Sequence, residues 1–176
     1  MKLAYLVSSI ALVALSSSVF AADGTVEFTG SITANTCTID GSAGSATKTV
    51  TLGDVPASAL STAGQTAGNQ SFSFALTDCT AGSTKVAARF ESLVASSDGY
   101  LSLTGAGTTG VAGNVQIGIY DAAGLLQPVN GAVPATSYVD VVGNDATLTY
   151  TAAYYATGEA TVGTANSQVA YTLSYQ

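Results

Sequence analysis

The sequence contains no histidine and no tryptophan, one methionine, three prolines and two cysteines, and only four of its 176 residues are Lys or Arg. Without histidine, Ser-His-Asp and Cys-His nucleophile systems are excluded. Two cysteines with no histidine cannot complete a zinc site. A net charge of −7 with so few cations makes nucleic acid and anionic membrane surfaces poor partners. Eleven acidic residues remain, so composition alone does not exclude a carboxylate pair of the glycoside-hydrolase kind. The acids are scattered, however, and Asp40, Asp54, Asp121 and Asp145 fall in turn sequences, where solvated carboxylates are expected. Asp140 and Asp145 lack the spacing and density of a calcium loop. The sequence supplies no catalytic residue, cofactor site or metal ligand set.

What is present begins with Lys2, an apolar stretch from Leu3 to Leu15, and small or branched residues at Val19 and Ala21. This pattern predicts a signal peptide over 1–21, cleaved before Ala22. The apolar run is shorter than the roughly 20 residues that span a bilayer. Removing it leaves 155 residues, one domain's worth of chain. Lys48, Lys85 and Arg89 then face eleven acids, a formal charge of −8. An exported chain meets an oxidising compartment, so Cys37 and Cys79 are expected to form a disulfide. In the chain-entropy picture, closing such a loop stabilises by roughly 4 kcal/mol.

Between the cysteines, Thr47–Leu52 alternates as a strand, Pro56–Leu60 reads as a helical turn and Gly64–Asn69 as a loop. Phe72, Phe74 and Leu76 share one side of the strand leading to Cys79. Val86, Ala88 and Phe90 mark the next strand, with Lys85 and Arg89 on its solvent side. Tyr100–Leu103 is a short strand. Gly105–Gly110 fits G-x-G-x-x-G but has no following helix signal and no βαβ surroundings, so it reads as a loop. Val115, Ile117 and Ile119 form a core strand turned at Asp121–Gly124, Tyr138–Val142 another, and Leu148, Tyr150, Ala152 and Tyr154 the next long one. Short strands, frequent turn signals and almost no helical periodicity indicate an all-β sandwich.

Two strands at the extremes of the sequence stand out. Near the end, Val169, Tyr171, Leu173 and Tyr175 alternate with Ala170, Thr172 and Ser174, and no Pro, Lys or bulge signal blunts this strand as an edge. Near the start, Val26, Phe28, Gly30 and Ile32 share one face, with Glu27, Thr29 and Ser31 on the other. Either the two strands close one domain on themselves, or they pair between molecules.

The runs TVEFTGSITANTC, VTLGDV, FSFALTDC, VQIGIYDAAG and YYATGEATVGTANSQVAYTLSYQ resemble type 1 fimbrial major pilins of the chaperone–usher class over the whole mature chain. Gly163, fourteenth from the end, and the penultimate aromatic Tyr175 match the C-terminal pattern of those subunits. The resemblance implies an incomplete immunoglobulin-like β-sandwich, six-stranded and completed by a donor strand from the next subunit. It implies a donor extension over 22–35 carrying Val26, Phe28, Gly30 and Ile32, and a pilin domain over 36–176. It also implies an acceptor groove and chaperone-binding edge at Gly163, Val169, Tyr171, Leu173 and Tyr175, and a disulfide at the same two cysteines. The expected partners are neighbouring pilin subunits in a homopolymer, a periplasmic chaperone and an outer-membrane usher, with no nucleic acid and no small-molecule substrate. The expected destination is a cell-surface fimbria reached through the periplasm. A minor or adaptor subunit, a small carbohydrate-binding adhesin and a small secreted hydrolase are the other readings. The pilin pattern starts directly after the signal, leaving no room for a lectin domain, and the residues supply no catalytic constellation.

Overall fold

The computed structural model describes Glu27, Thr29, residues 37–43 and residues 46–176. The expected signal peptide over 1–21 and the donor residues Val26, Phe28, Gly30 and Ile32 lie outside the described residues. Every described strand and helical turn lies after Cys37.

Alternating apolar residues build the strands and decide which faces meet. In chain order these are β1 (Thr38–Ile39), β2 (Ser42–Ala43), β3 (Thr66–Thr77), β4 (Lys85–Glu91), β5 (Leu101–Ser102), β6 (Val115–Asp121), β7 (Val139–Asp140), β8 (Ala146–Ala156) and β9 (Ala170–Tyr175). Two single 3₁₀ turns, Ala57–Leu60 and Ala135–Ser137, are the helical elements among the described residues. One antiparallel sheet has the order β2-β1-β3-β8-β6-β5 and the other β7-β4-β9.

The sheets share one core. Phe74 and Leu76 of β3, Leu148 and Tyr150 of β8, Ile117 and Ile119 of β6, and Val86, Ala88 and Phe90 of β4 are all buried in it. Tyr150 ties the layers together: its ring lies 5.1 Å from that of Phe90, and its hydroxyl accepts the Ala88 N–H at 2.9 Å. That bond satisfies a backbone donor on β4 beyond its short pairing with β7, which ends at Val86. Lys85 and Arg89 face solvent, as the alternation predicts. Cys37 and Cys79 form the expected disulfide, fastening the chain before β1 to the end of β3.

Three sequence expectations differ from the structure. Gly64–Asn69 is not all loop, because β3 already begins at Thr66. A β-bulge between Ala67 and Gln70 shifts its register against β8, and Gly68 within it takes φ +69°. A Cβ at Gly68 would press on the Tyr154 ring at 3.0 Å and the Leu52 carbonyl at 3.1 Å, so this glycine signals a bend inside a strand. Thr47–Leu52 has the predicted alternation, with Val50 and Leu52 packed on the core, but it forms no strand. Among the described residues it has no ladder partner, and a strand is defined by its ladder.

Asp121 is the third. It is a turn residue but not a solvated one, being 9% exposed. Its Oδ1 accepts the N–H groups of Ala123 and Leu125, both at 2.9 Å. Its Oδ2 accepts from Ser137 Oγ at 2.7 Å and from Gln127 Nε2 at 3.3 Å. Asp40 is likewise committed, to Lys48 at 2.8 Å and to the Ala75 N–H at 2.9 Å.

Candidate functional site

Among the described residues, β9 pairs with β4 on one side and is an edge of its sheet on the other. Beside it lies a groove of about 1530 Å³ lined by side chains from both sheets. Val169, Tyr171, Leu173 and Tyr175 supply one wall, and the extended segment from Ala46 to Leu52 contributes opposite them. Phe74, Phe90, Leu101, Ile117, Ile119 and Ala152 also line it, each a buried residue of the core. The physical origin is the missing ladder. Among the described residues, no strand pairs with the free edge of β9 or with residues 46–52.

Hydrogen bonds from side chains hold the segment in place. The Tyr171 hydroxyl donates to the Ala46 carbonyl and accepts the Ala46 N–H, and the Tyr171 ring packs 4.5 Å from that of Phe74. Lys48 pairs with Asp40, donates to the Ser73 carbonyl and lies 5.5 Å over the Phe74 ring. The hydrogen bond from Lys48 holds the Asp40 carboxyl below its ordinary range, helped by the Ala75 N–H. At the far end of β9, burial pushes the Tyr175 hydroxyl up, against a lowering hydrogen bond from the Cys37 backbone. Tyr175 thus stands next to the disulfide.

The structure brings together four of the five C-terminal site residues expected from sequence. Gly163 is not among the groove-lining residues. It sits on the connection from β8 to β9, where the chain passes Val111 and Ala112 so closely that a Cβ would come within 2.4 Å of their backbone atoms. Ala112 N donates to Thr164 O at 3.0 Å and Thr164 N to Gly110 O at 2.8 Å, which fixes that passage. Gly163 therefore bears on the groove by placing the segment that leads into β9. The sequence reading missed the wall formed by residues 46–52 and the role of Lys48. The signal was available in the alternation of Val50 and Leu52 and in the rarity of cations.

What the groove can do chemically is accept an extended apolar segment: it offers an open strand edge for main-chain hydrogen bonds and an apolar row for alternate side chains. Among the described residues no group of three or more His, Cys, Asp or Glu side chains could hold a metal ion.

Comparison with known proteins agrees with this architecture. The model of the family described as fimbrial protein matches residues 26–176. The F17 fimbrial protein of Escherichia coli is 37% identical over 170 residues, covering 93% of each chain. The major fimbrial subunit SMF-1 of Stenotrophomonas maltophilia is 38% identical over 163 residues, covering 88% of this chain and 94% of that protein. In fold, the P pilus rod subunit PapA superposes with a TM-score of 0.61 at 19% identity, over 80% of this chain and 99% of that one. The chain belongs to the fimbrial protein family and is a structural subunit of a fimbria.

Proposed function

We propose that the groove receives the 22–35 segment of a second copy of this chain, and that repetition of this exchange builds the fimbria. In this reading residues 1–21 are a signal peptide removed on export, 22–35 are the donor extension and 36–176 are the pilin domain. Val26, Phe28, Gly30 and Ile32 of the giving copy lie against Val169, Tyr171, Leu173 and Tyr175 of the receiving one. The observation that carries the reading is the coincidence, among the described residues, of an edge strand with a large groove lined by core side chains. Strand addition to an open sheet edge is the established mode for chaperone–pilin complexes, so the mode comes with the family.

The energetics favour a tight and repeatable contact. Fully burying the Val26, Phe28 and Ile32 side chains stabilises by roughly 1.5–3 kcal/mol each. Each added main-chain hydrogen bond contributes about 1 kcal/mol net. The surface given and the surface received differ, so the contact is heterologous and propagates as a filament instead of closing. Before assembly a periplasmic chaperone occupies the same edge, and an outer-membrane usher directs the exchange that carries the subunit to the surface. The protein acts by assembly and has no substrate to turn over.

The test separates giving from receiving. Deleting Ala22 to Ile32 is expected to yield chaperone-bound subunits that accept a strand but donate none. Gly30→Val is expected to leave the chaperone complex intact and block polymerisation. Leu173→Asp is expected to lower recovery of the subunit with its chaperone. Normal fibres in negative-stain images from the deletion would overturn the donor role.

A further inference from the structure

Three tyrosines meet on the outer face of the larger sheet, and none of them lines the groove. Tyr155 stands on β8, Tyr120 on β6 and Tyr100 just before β5. The Tyr100 and Tyr155 rings are stacked, with centroids 4.0 Å apart and planes 18° from parallel. Tyr100 also shares side-chain hydrogen bonds with both Tyr120 and Tyr155, so three phenol oxygens converge. Strand order makes this meeting unusual. β6 lies between β8 and β5, which puts those two backbones about 10 Å apart. Across the ladder Gln116 of β6 faces Tyr155, and Gly118 faces Ala153. Gly118 leaves a trough in this face, because a Cβ there would meet the Tyr120 hydroxyl at 2.5 Å and its ring at 2.7 Å. Beside that trough Tyr100 reaches over β6 to Tyr155.

We propose that Tyr100 and Tyr155 are a site of oxidative cross-linking, in which a one-electron oxidant of the haem-peroxidase and peroxide class joins their rings by a carbon–carbon bond that braces β5. The first support is what else the chain offers an oxidant. It has no Trp, no His and a single Met at position 1. Both cysteines are held in the disulfide. The side chains that ordinarily intercept oxidation are therefore absent or already oxidised, and tyrosine is left to react. Among the described residues, Tyr100 and Tyr155 are the two tyrosines whose rings stack.

The second support is the chemistry of the cluster. Burial first, and then the neighbouring Tyr120 and Tyr155, hold the Tyr100 phenol above its ordinary range. Tyr100 is thus protonated at neutral pH, and its electron must leave together with a proton, for which the bonded phenols supply an acceptor. Each ring gives up one electron and its phenol proton. The two radicals join at the ring carbons beside the oxygens, the hydrogens on those carbons leave as protons, and both phenols are restored. In sum two ring C–H bonds break and one C–C bond forms, while two electrons and two protons turn one hydrogen peroxide into two waters.

The third support is where the bond would act. β5 is two residues long and pairs with β6 through Leu101 and Ser102 alone. A bond from Tyr100 to Tyr155 fastens this short edge to β8, on the side of the sheet opposite the disulfide. It also closes a loop in the unfolded chain, as a disulfide does.

The test treats the purified mature subunit with a haem peroxidase and hydrogen peroxide, then digests it for mass spectrometry. A peptide pair joining Tyr100 to Tyr155 and lacking two hydrogen atoms is expected, in a yield independent of protein concentration. Tyr100→Phe and Tyr155→Phe keep an aromatic ring in place but cannot form the phenoxyl radical, so each should abolish this product. Tyr138→Phe, which loses only the hydroxyl bonded to Ser174 Oγ, should leave it unchanged. The oxidised subunit should unfold at a higher urea midpoint than the untreated one, a gain missing from both cluster variants. No cross-link, a product that rises with concentration and so joins two chains, or coupling of Tyr100 to Tyr120 instead would each overturn the site. A Tyr100–Tyr155 bond without a higher midpoint would overturn the bracing of β5.

Discussion

The Tyr171 hydroxyl donates to the Ala46 carbonyl at 2.8 Å and receives the Ala46 N–H at 3.3 Å. A phenol on β9 thus satisfies both backbone groups of a residue across the groove, in place of the strand that would otherwise lie between them. Buried or half-buried backbone groups need partners, and a segment without a ladder must find them in side chains.

Replacing Tyr171 by Phe keeps the ring against Phe74 and removes only this hydroxyl. Stability in urea should fall by about 1 kcal/mol, the usual net value of one hydrogen bond. Amide exchange across residues 46–52 should quicken by more than the global change explains. Unchanged exchange there would mean that the Lys48 contacts and the burial of Val50 and Leu52 suffice to hold the segment.

Lys48 and Asp40 set a weak acid dependence on the same wall. The Asp40 carboxyl is held below its ordinary 3.8 first by the Lys48 hydrogen bond. A depressed carboxyl contributes stability that is present above its unfolded value and lost as pH falls through its lower folded value. The pair is solvated, so its share is small. Asp40→Asn should therefore be slightly less stable than the unaltered protein at neutral pH, with the gap closing below pH 3.8. Urea midpoints measured across that range check this, and a gap that persists at low pH would assign the effect to something other than charge.

Much of the architecture is legible because burial writes a period into the sequence. The row at Leu148, Tyr150, Ala152 and Tyr154 and the row from Val169 to Tyr175 both point inward as alternation requires. Pairing is harder to read. Thr47–Leu52 alternates as well as β9 does, yet pattern reports which face is apolar and says nothing about whether a neighbour is present. Asp121 is illegible for a different reason. Its turn sequence is that of a solvated carboxylate, and the groups that bury it, Gln127 and Ser137, arrive from the crossing toward β7. Gly163 is marked by family likeness, but its cause is the backbone of Val111, far away in the sequence.

The Asp121 cluster should behave as one unit. Asp121→Ala leaves two backbone N–H groups and the Ser137 hydroxyl without their acceptor, while the Gln127 amide keeps the Leu125 carbonyl and the Ser137 oxygen. Hydrogen bonds to a charged partner stabilise by about 1.5–3 kcal/mol, so the combined loss should exceed about 3 kcal/mol. Ser137→Ala should cost less, and in an Asp121→Ala background less again, with only its bond from the Gln127 amide left to lose. Additive losses in urea unfolding would show that the groups are independent.

Gly163→Ala tests whether the passage of the chain before β9 is limited by space. A Cβ at this position would lie 2.4 Å from both Ala112 N and Val111 C, and backbone atoms cannot swing aside as a side-chain tip can. Either the 160–164 segment moves off, breaking the Ala112–Thr164 and Thr164–Gly110 bonds, or the Val111 side is displaced. Overpacking of this kind costs about 1–3 kcal/mol, and each lost hydrogen bond adds to it. Gly158→Ala is the matched control: it lies on the same connection, and its Cβ would meet nothing nearer than Asn114 Cγ at 3.4 Å, an ordinary contact. Its effect should stay within about 0.5 kcal/mol. Because the connection also bonds Asn166 O to Thr104 N and Ser167 Oγ to Ser102 O, a displaced segment carries the start of β9 with it. Gly163→Ala should therefore weaken binding of a synthetic peptide of residues 22–36 as well as stability, and Gly158→Ala should change neither. Equal, small effects from both substitutions in urea unfolding would show that the chain has room at residue 163, and that the groove does not depend on it.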